Sequence, residues 1–168
     1  MNLKKTLVLW GMMGAGKSTI GTLVSQKLNL DFIDIDSVIE KESRMSIVEI
    51  FHNNGENFFR NLEEKITLKN LSLKKKVISI GGGAFMNQKI RNEIISNNKS
   101  FWLYWDSNTL INRIKNNKNR PLGEKLNEKE LLDLIVKRSK LYIKADHKIN
   151  CNKLTKPEIV NKIIELII

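Results

Sequence analysis

Short apolar runs and helical apolar stripes take turns along this chain. Residues 6–10 (Thr-Leu-Val-Leu-Trp) form an unbroken apolar run after the threonine, the pattern of a strand covered on both faces. Residues 18–28 then place Ile20, Leu23, Val24 and Leu28 on one side of a helix, which Asn29 ends. Residues 30–36 read as a second strand, 76–80 as a third, 100–105 as a fourth and 146–150 as a short fifth. On the fourth, Trp102 and Trp105 fall on opposite faces, as a sheet covered on both sides requires. The intervening segments are helical. Short helices are expected over 37–42 and 46–52, and a longer one starts within 55–63. Residues 87–97 follow on Ile90, Ile94 and Ile95, and the next helix carries Leu110, Ile111 and Ile114 behind a cap at Ser107 or Asn108. Residues 128–144 form another, and Pro157 opens a last helix on Ile159, Val160, Ile163, Ile164 and Ile167. Strand and helix alternating without internal repeats predict an α/β fold with a doubly wound parallel sheet of five strands.

Composition narrows the function classes. A chain of 168 residues, 41% hydrophobic, is expected to form one domain with a substantial core. Its single cysteine, Cys151, excludes an internal disulfide and a cysteine-based zinc site, and fits a reducing cytoplasm. The net charge of +11 raises nucleic acid as a partner, but the lysines are dispersed, with only Lys74-Lys75-Lys76 as a run. No aromatic-plus-basic strand motif or recognition helix accompanies them, so the lysine excess is read first as compositional drift, alongside plentiful asparagine and isoleucine, and otherwise as a field that gathers anionic substrates, with no nucleic-acid partner. The apolar stretch after Lys4-Lys5 is too short for a signal peptide, and no run approaches membrane-spanning length. His52 and His147 have no partner at ligand spacing and are read as structural.

Residues 11–19, G-M-M-G-A-G-K-S-T, match G-x-x-x-x-G-K-[ST] between a predicted strand and a predicted helix. Glycines let such a loop wrap its N–H groups around a polyphosphate. Lys17 supplies charge to the β- and γ-phosphates, the Ser18 hydroxyl suits Mg²⁺, and the helix N-terminus favours the same anion. At the end of the second strand, Asp34 and Asp36 lie two apart and would share a side if the strand continued, suiting Mg²⁺ binding and a base for an attacking hydroxyl. The competing reading makes Asp36-Ser37 a helix cap. Arg60 and Glu63 are one helical turn apart, either a surface pair or a carboxylate-binding fork. Gly81-Gly82-Gly83 at a strand's C-terminal end allows close backbone approach to a ligand. Residues 116–127 are polar, contain Arg120-Pro121 and Gly123, and read as a mobile loop.

In order along nearly the whole chain, the phosphate loop, D-I-D at 34–36, G-E-N-F-F-R-N-L-E at 55–63, G-G-G at 81–83, R-P-L at 120–122 and R-S-K-L-Y at 138–142 resemble the shikimate kinase family. The resemblance implies a phosphate-loop kinase of three layers, α/β/α. It has a substrate-binding helical region about 37–70 and a lid about 116–127. It also implies transfer of the ATP γ-phosphoryl group to the 3-hydroxyl of shikimate, with Mg²⁺ as cofactor, in a cytoplasmic monomer. By the same resemblance Lys17, Asp36 and Arg120 are catalytic, and Gly14, Ala15, Gly16, Lys17, Ser18, Thr19, Arg113, Arg120 and Thr155 bind ATP. Asp36, Arg60, Gly81, Gly82, Gly83 and Arg138 bind shikimate, while Ser18 and Asp34 serve the metal. The chain departs from the common pattern at R-P-L-G, at Lys144 and at Thr155, where many relatives carry leucine after R-P-L, glutamate and arginine. The alternatives are a related small-metabolite kinase, such as a gluconate kinase, and a catalytically inactive nucleotide-binding relative.

Overall fold

In the computed structural model, which describes residues 5–116 and 126–167, five parallel strands form one sheet. They are β1 (Leu7–Trp10), β2 (Asp31–Asp34), β3 (Lys76–Ser79), β4 (Lys99–Tyr104) and β5 (His147–Asn150), in the order β2-β3-β1-β4-β5. The uninterrupted apolar run puts β1 at the centre: all four of its residues are buried, with Leu7 paired to Val77 on one side and Lys99 on the other. The edges are more polar, as strand edges need to be. Asp31 on β2 pairs with Lys76, and Lys148 on β5 lies 3.7 Å from the Tyr104 ring centroid.

Seven α-helices accompany the strands among the described residues: α1 (Lys17–Leu28), α2 (Ile35–Ser43), α3 (Ile47–Leu71), α4 (Gln88–Asn97), α5 (Ser107–Lys115), α6 (Glu128–Tyr142) and α7 (Lys156–Glu165). The path β1-α1-β2 crosses the sheet in one direction and β3-α4-β4 in the other. Right-handed crossovers therefore put α1 and α4 on opposite faces, with α7 packed beside α1 and α3 beside α4. The reversal leaves a crevice beyond the C-terminal ends of β1 and β3, the usual ligand position in a doubly wound sheet.

Local chemistry moves several expected boundaries. β2 stops at Asp34 because that carboxylate caps α2, its Oδ1 accepting from the Asp36 N–H at 3.1 Å and the Ser37 N–H at 3.5 Å. Asp34 and Asp36 thus do not share a strand face, and the cap is Asp34 rather than Asp36. α3 joins the two helices expected around Gly55, whose φ of 81° and ψ of 171° kink it there. Asp106, rather than Ser107 or Asn108, caps α5 by accepting from the Thr109 N–H at 2.8 Å. β4 ends at Tyr104, so Trp105 lies beyond the strand and not on either of its faces. Asn29, with φ 54°, ends α1. Arg120 and the residues of the expected 116–127 lid, apart from Asn116, Leu126 and Asn127, lie outside the described residues.

Candidate active site

The phosphate loop leaves β1 at Gly11 and enters α1 at Lys17. Gly14 and Gly16 take φ values of 82° and 85°, where a side chain would be strained. A loop that turns its N–H groups toward an anion leaves carbonyls facing the protein, and each of those needs a donor. Here the Trp105 indole N–H donates to the Ala15 carbonyl at 3.0 Å, and the Arg113 guanidinium to that of Gly14 at 3.4 Å. The Lys17 ammonium donates to the carbonyls of Gly11 at 3.1 Å and Met12 at 3.2 Å. Thr19 is exposed in the first turn of α1.

Asp34 faces this loop. The Ser18 hydroxyl donates to Asp34 Oδ2 at 2.5 Å, and the hydroxyl of Ser79, at the end of β3, donates to the same oxygen at 3.0 Å. The carboxylate therefore holds the start of α2 with one oxygen and the start of α1 with the other. Among the described residues no three His, Cys, Asp or Glu side chains gather as a metal-binding group. A divalent cation would take most of its ligands from phosphate and water, and the hard oxygens of Ser18 and Asp34 fit Mg²⁺ in that mode.

Opposite stands the glycine triplet, between β3 and a 3₁₀ turn at Ala84–Met86. A Cβ on Gly81 would lie 3.3 Å from carboxylate oxygens of both Asp36 and Glu63, and one on Gly82 2.8 Å from the Gly11 carbonyl oxygen. The triplet thus touches the phosphate loop on one side and the acidic residues on the other. On α3, the Arg60 Nη1 donates to Glu63 Oε2 at 2.7 Å, while Nε and Nη2 both donate to Glu56 Oε1 at 3.3 Å. Burial pulls the Arg60 guanidinium toward its neutral form, but the charges and hydrogen bonds of Glu63 and Glu56 outweigh it and hold its pKa above the usual guanidinium range. Glu63 is only 2% exposed; burial raises its carboxyl above the ordinary 4.5, Arg60 pulls it back and the Asp36 charge raises it further.

α6 completes the wall with two residues one turn apart. Arg138 is buried, with Nη1 3.8 Å from Met12 Sδ, and the fully buried Tyr142 hydroxyl donates to the Gly82 carbonyl at 2.6 Å. Burial pushes that hydroxyl up to about 12, against the pull of the Arg138 charge, so it remains a donor throughout the working pH range. Between Arg60, Glu63, Gly83, Met86, Leu134 and Arg138 lies a cavity of about 380 Å³, room for a small ligand.

Asp36, Arg60, the three glycines and Arg138 therefore surround one crevice, next to the loop bearing Lys17 and Ser18. Thr155 sits apart from it, its hydroxyl engaged in capping α7 with Glu158. Glu56, Ser79, Trp105 and Tyr142 belong to the site without having been singled out for it in the sequence. Only Tyr142 carried a positional signal, four residues after Arg138 on one helix face.

The shikimate kinase family model matches residues 13–168. A shikimate kinase of Thermodesulfovibrio yellowstonii is 40% identical over 162 residues, covering 96% of this chain and 94% of that protein. The structure of a shikimate kinase from Acinetobacter baumannii in complex with shikimate superposes with a TM-score of 0.91 at 32% identity, covering 98% of this chain and 93% of that one. A gluconokinase from Sinorhizobium meliloti reaches a TM-score of 0.64 at 14% identity, a likeness of fold alone.

Proposed function

The chain belongs to the shikimate kinase family, and on that premise we propose that it transfers the γ-phosphoryl group of ATP to the 3-hydroxyl of shikimate. The observation that carries the reading is the contact between the two half-sites. The phosphate loop and a glycine triplet flanked by Arg60, Arg138 and Asp36 meet at Gly11 and Gly82. The planar forks of Arg60 and Arg138 suit the carboxylate of a small hydroxy acid, and Glu63 holds the Arg60 fork in place. Gluconate would use such forks as well, but the family and the buried Arg138 favour the cyclic acid.

In this proposal Arg60 and Arg138 orient the acceptor by its carboxylate, and Gly81, Gly82 and Gly83 admit it close to the backbone. Asp36 accepts a hydrogen bond from the attacking hydroxyl and takes its proton as the new P–O bond forms. Gly14, Ala15, Gly16 and Thr19 line the nucleotide phosphates, and Lys17 leaves the loop carbonyls to follow the charge that builds on the transferring group. Ser18 and Asp34 would hold Mg²⁺, which supplies charge neutralisation at the phosphates when bound. Arg113 and the Thr155 region are proposed at the adenine, and Arg120, by the family resemblance, at the phosphates. Phosphoryl transfer asks mainly for positioning and neutralised charge, which these groups supply. The buried Cys151 thiol, pushed up to about 12 by burial, takes no part. No helix among the described residues is long and apolar enough to cross a membrane.

Coupled ADP release with shikimate, with gluconate and with neither acceptor tests the proposal. Shikimate-dependent release is expected; release that is independent of shikimate, or faster with gluconate, would overturn it.

A further inference from the structure

We infer that Trp105 is a positioning residue for the nucleotide half of the site, pinning the phosphate loop with its indole N–H and carrying Arg113 on its ring face. The inference rests on the reading that this loop binds ATP.

Trp105 follows β4 by one residue and is 8% exposed. Its Nε1–H reaches a partner 90 residues away, the carbonyl of Ala15, itself buried in the middle of the phosphate loop. Without that donor a carbonyl shielded from water would have to rotate toward the anion site to find one, spoiling the array of N–H groups. The same indole meets Arg113, whose Cζ lies 3.6 Å from the ring centroid. Arg113 is otherwise exposed on α5 and would sample many rotamers; stacked, it directs Nη1 to the Gly14 carbonyl at 3.4 Å. Two successive loop carbonyls, those of Gly14 and Ala15, are thus served by two side chains in contact with each other.

The geometry has a consequence beyond packing. A tryptophan that merely filled the core could point its N–H elsewhere and would have no reason to underlie an exposed cation. This one couples the residue proposed for the base to the backbone proposed for the phosphates, so Arg113 is pre-set before nucleotide arrives and the rotamer freedom it would otherwise lose on binding is already gone. Replacement by phenylalanine keeps a ring face and removes the donor, whereas leucine removes both.

The test is calorimetric titration of Mg-ATP, tripolyphosphate and shikimate on wild type, Trp105→Phe, Trp105→Leu, Arg113→Gln and the Trp105→Leu/Arg113→Gln pair. Trp105→Phe should weaken ATP and tripolyphosphate alike by roughly two- to tenfold, the range of one net hydrogen bond. Trp105→Leu should weaken ATP by about a further two- to fivefold, the range of an exposed cation–π contact, with a smaller further loss for tripolyphosphate, which has no base but meets a loop whose Gly14 carbonyl has lost its positioned donor. That additional loss should vanish in the Arg113→Gln background, and shikimate affinity should stay within about twofold throughout. Equal losses for ATP and shikimate, or unchanged ATP affinity in Trp105→Phe, would overturn the inference and leave Trp105 as core packing. Should Trp105→Leu not fold, Trp105→Phe decides between these results on its own. A wild type that binds no ATP would overturn the functional reading with it, whereas a wild type that binds ATP with indifferent variants overturns this inference alone.

Discussion

Adding one methyl group at Gly82 and at Gly83 in turn should have opposite effects, although the two residues are neighbours. At Gly82 the new Cβ would lie 2.5 Å from the Tyr142 hydroxyl oxygen, 2.8 Å from the Gly11 carbonyl oxygen and 3.2 Å from Arg138 Nη1. None of these gives easily: Gly11 is backbone beside the central strand, and Tyr142 is fully buried between the Phe85 and Trp102 rings, at centroid distances of 6.0 and 5.8 Å. Overpacking of that kind costs about 1–3 kcal/mol. Pushing the Tyr142 hydroxyl off the Gly82 carbonyl costs about 0.5–1.5 more. Reduced freedom of the unfolded chain returns about 0.4–1 kcal/mol. Gly82→Ala should therefore lose about 0.5–4 kcal/mol, with a midpoint of about 2.3, seen as a fall in Tm of roughly 1–16 °C. At Gly83 the three atoms nearest the Cβ all belong to the Arg60 guanidinium, with Nη1 at 2.5 Å, and the residue's φ of −74° and ψ of −34° suit alanine. The long side chain can swing aside, so Gly83→Ala should keep or slightly gain stability. Its penalty falls on the carboxylate fork: losing a charge-assisted contact of about 1.5–3 kcal/mol means roughly 10- to 100-fold weaker shikimate binding. Urea unfolding and calorimetric titration of shikimate and ATP on both variants give the comparison. A Gly82→Ala protein as stable as wild type, or a Gly83→Ala protein that binds shikimate normally, would refute the reasoning.

Four further outcomes follow from the same geometry. Lys17→Ala should abolish most turnover while its melting curve stays near that of wild type, because the ammonium donates to loop carbonyls and fills no part of the hydrophobic core. Arg60→Lys should weaken shikimate far more than ATP in parallel titrations, since lysine retains the charge and loses the fork. Arg120→Ala, on the family's reading of that residue, should lower kcat by about three orders of magnitude with a much smaller change in ATP affinity, which steady-state kinetics and nucleotide titration on one preparation would show. Burial raises the Glu63 carboxyl above its ordinary 4.5, so between that value and the raised one the folded chain keeps a proton that the unfolded chain has lost, and stability falls as pH rises. Glu63→Gln lacks that slope and should gain on wild type as pH increases above 4.5 in a series of urea midpoints; the reverse trend would show the Arg60 charge to dominate.

Sheet and helices were legible because their signals are local: four-residue apolar runs such as Leu7–Trp10 can be buried on both faces only in the middle of a covered sheet. The phosphate loop was legible for the same reason, its glycines and Lys17-Ser18 lying within one short stretch. Where β2 hands over to α2 the sequence holds two aspartates; the expected cap was Asp36-Ser37, and Asp34 provides it. Which one does so depends on Ser18 and Ser79, 16 and 45 residues away, and local propensity carries no trace of them. Trp105 was misassigned because its apolar ring fits a strand pattern, whereas its position is decided by a carbonyl 90 residues upstream. Gly55 stands where one expected helix gave way to the next, yet its backbone kinks α3 without ending it. The acceptor pocket is the least local part: its walls come from α2, α3, the triplet and α6, and only the family's motif order tied them together before any fold was known.

The phosphate loop and the glycine triplet prolong strands that are immediate neighbours, Leu9 lying opposite Ser79 and the Ile80 N–H donating to the Leu9 carbonyl at 3.1 Å. Paired strands stand about 4.8 Å apart, a dimension set by backbone hydrogen bonds and nearly incompressible. The gap between phosphoryl donor and acceptor is thus gauged by a sheet repeat common to countless proteins, while the identity of the acceptor is written in side chains around it. Such a ruler leaves the reach of the proposed transfer set by backbone alone, so substitutions among the side chains lining the pocket should change which acceptor fits without changing that reach.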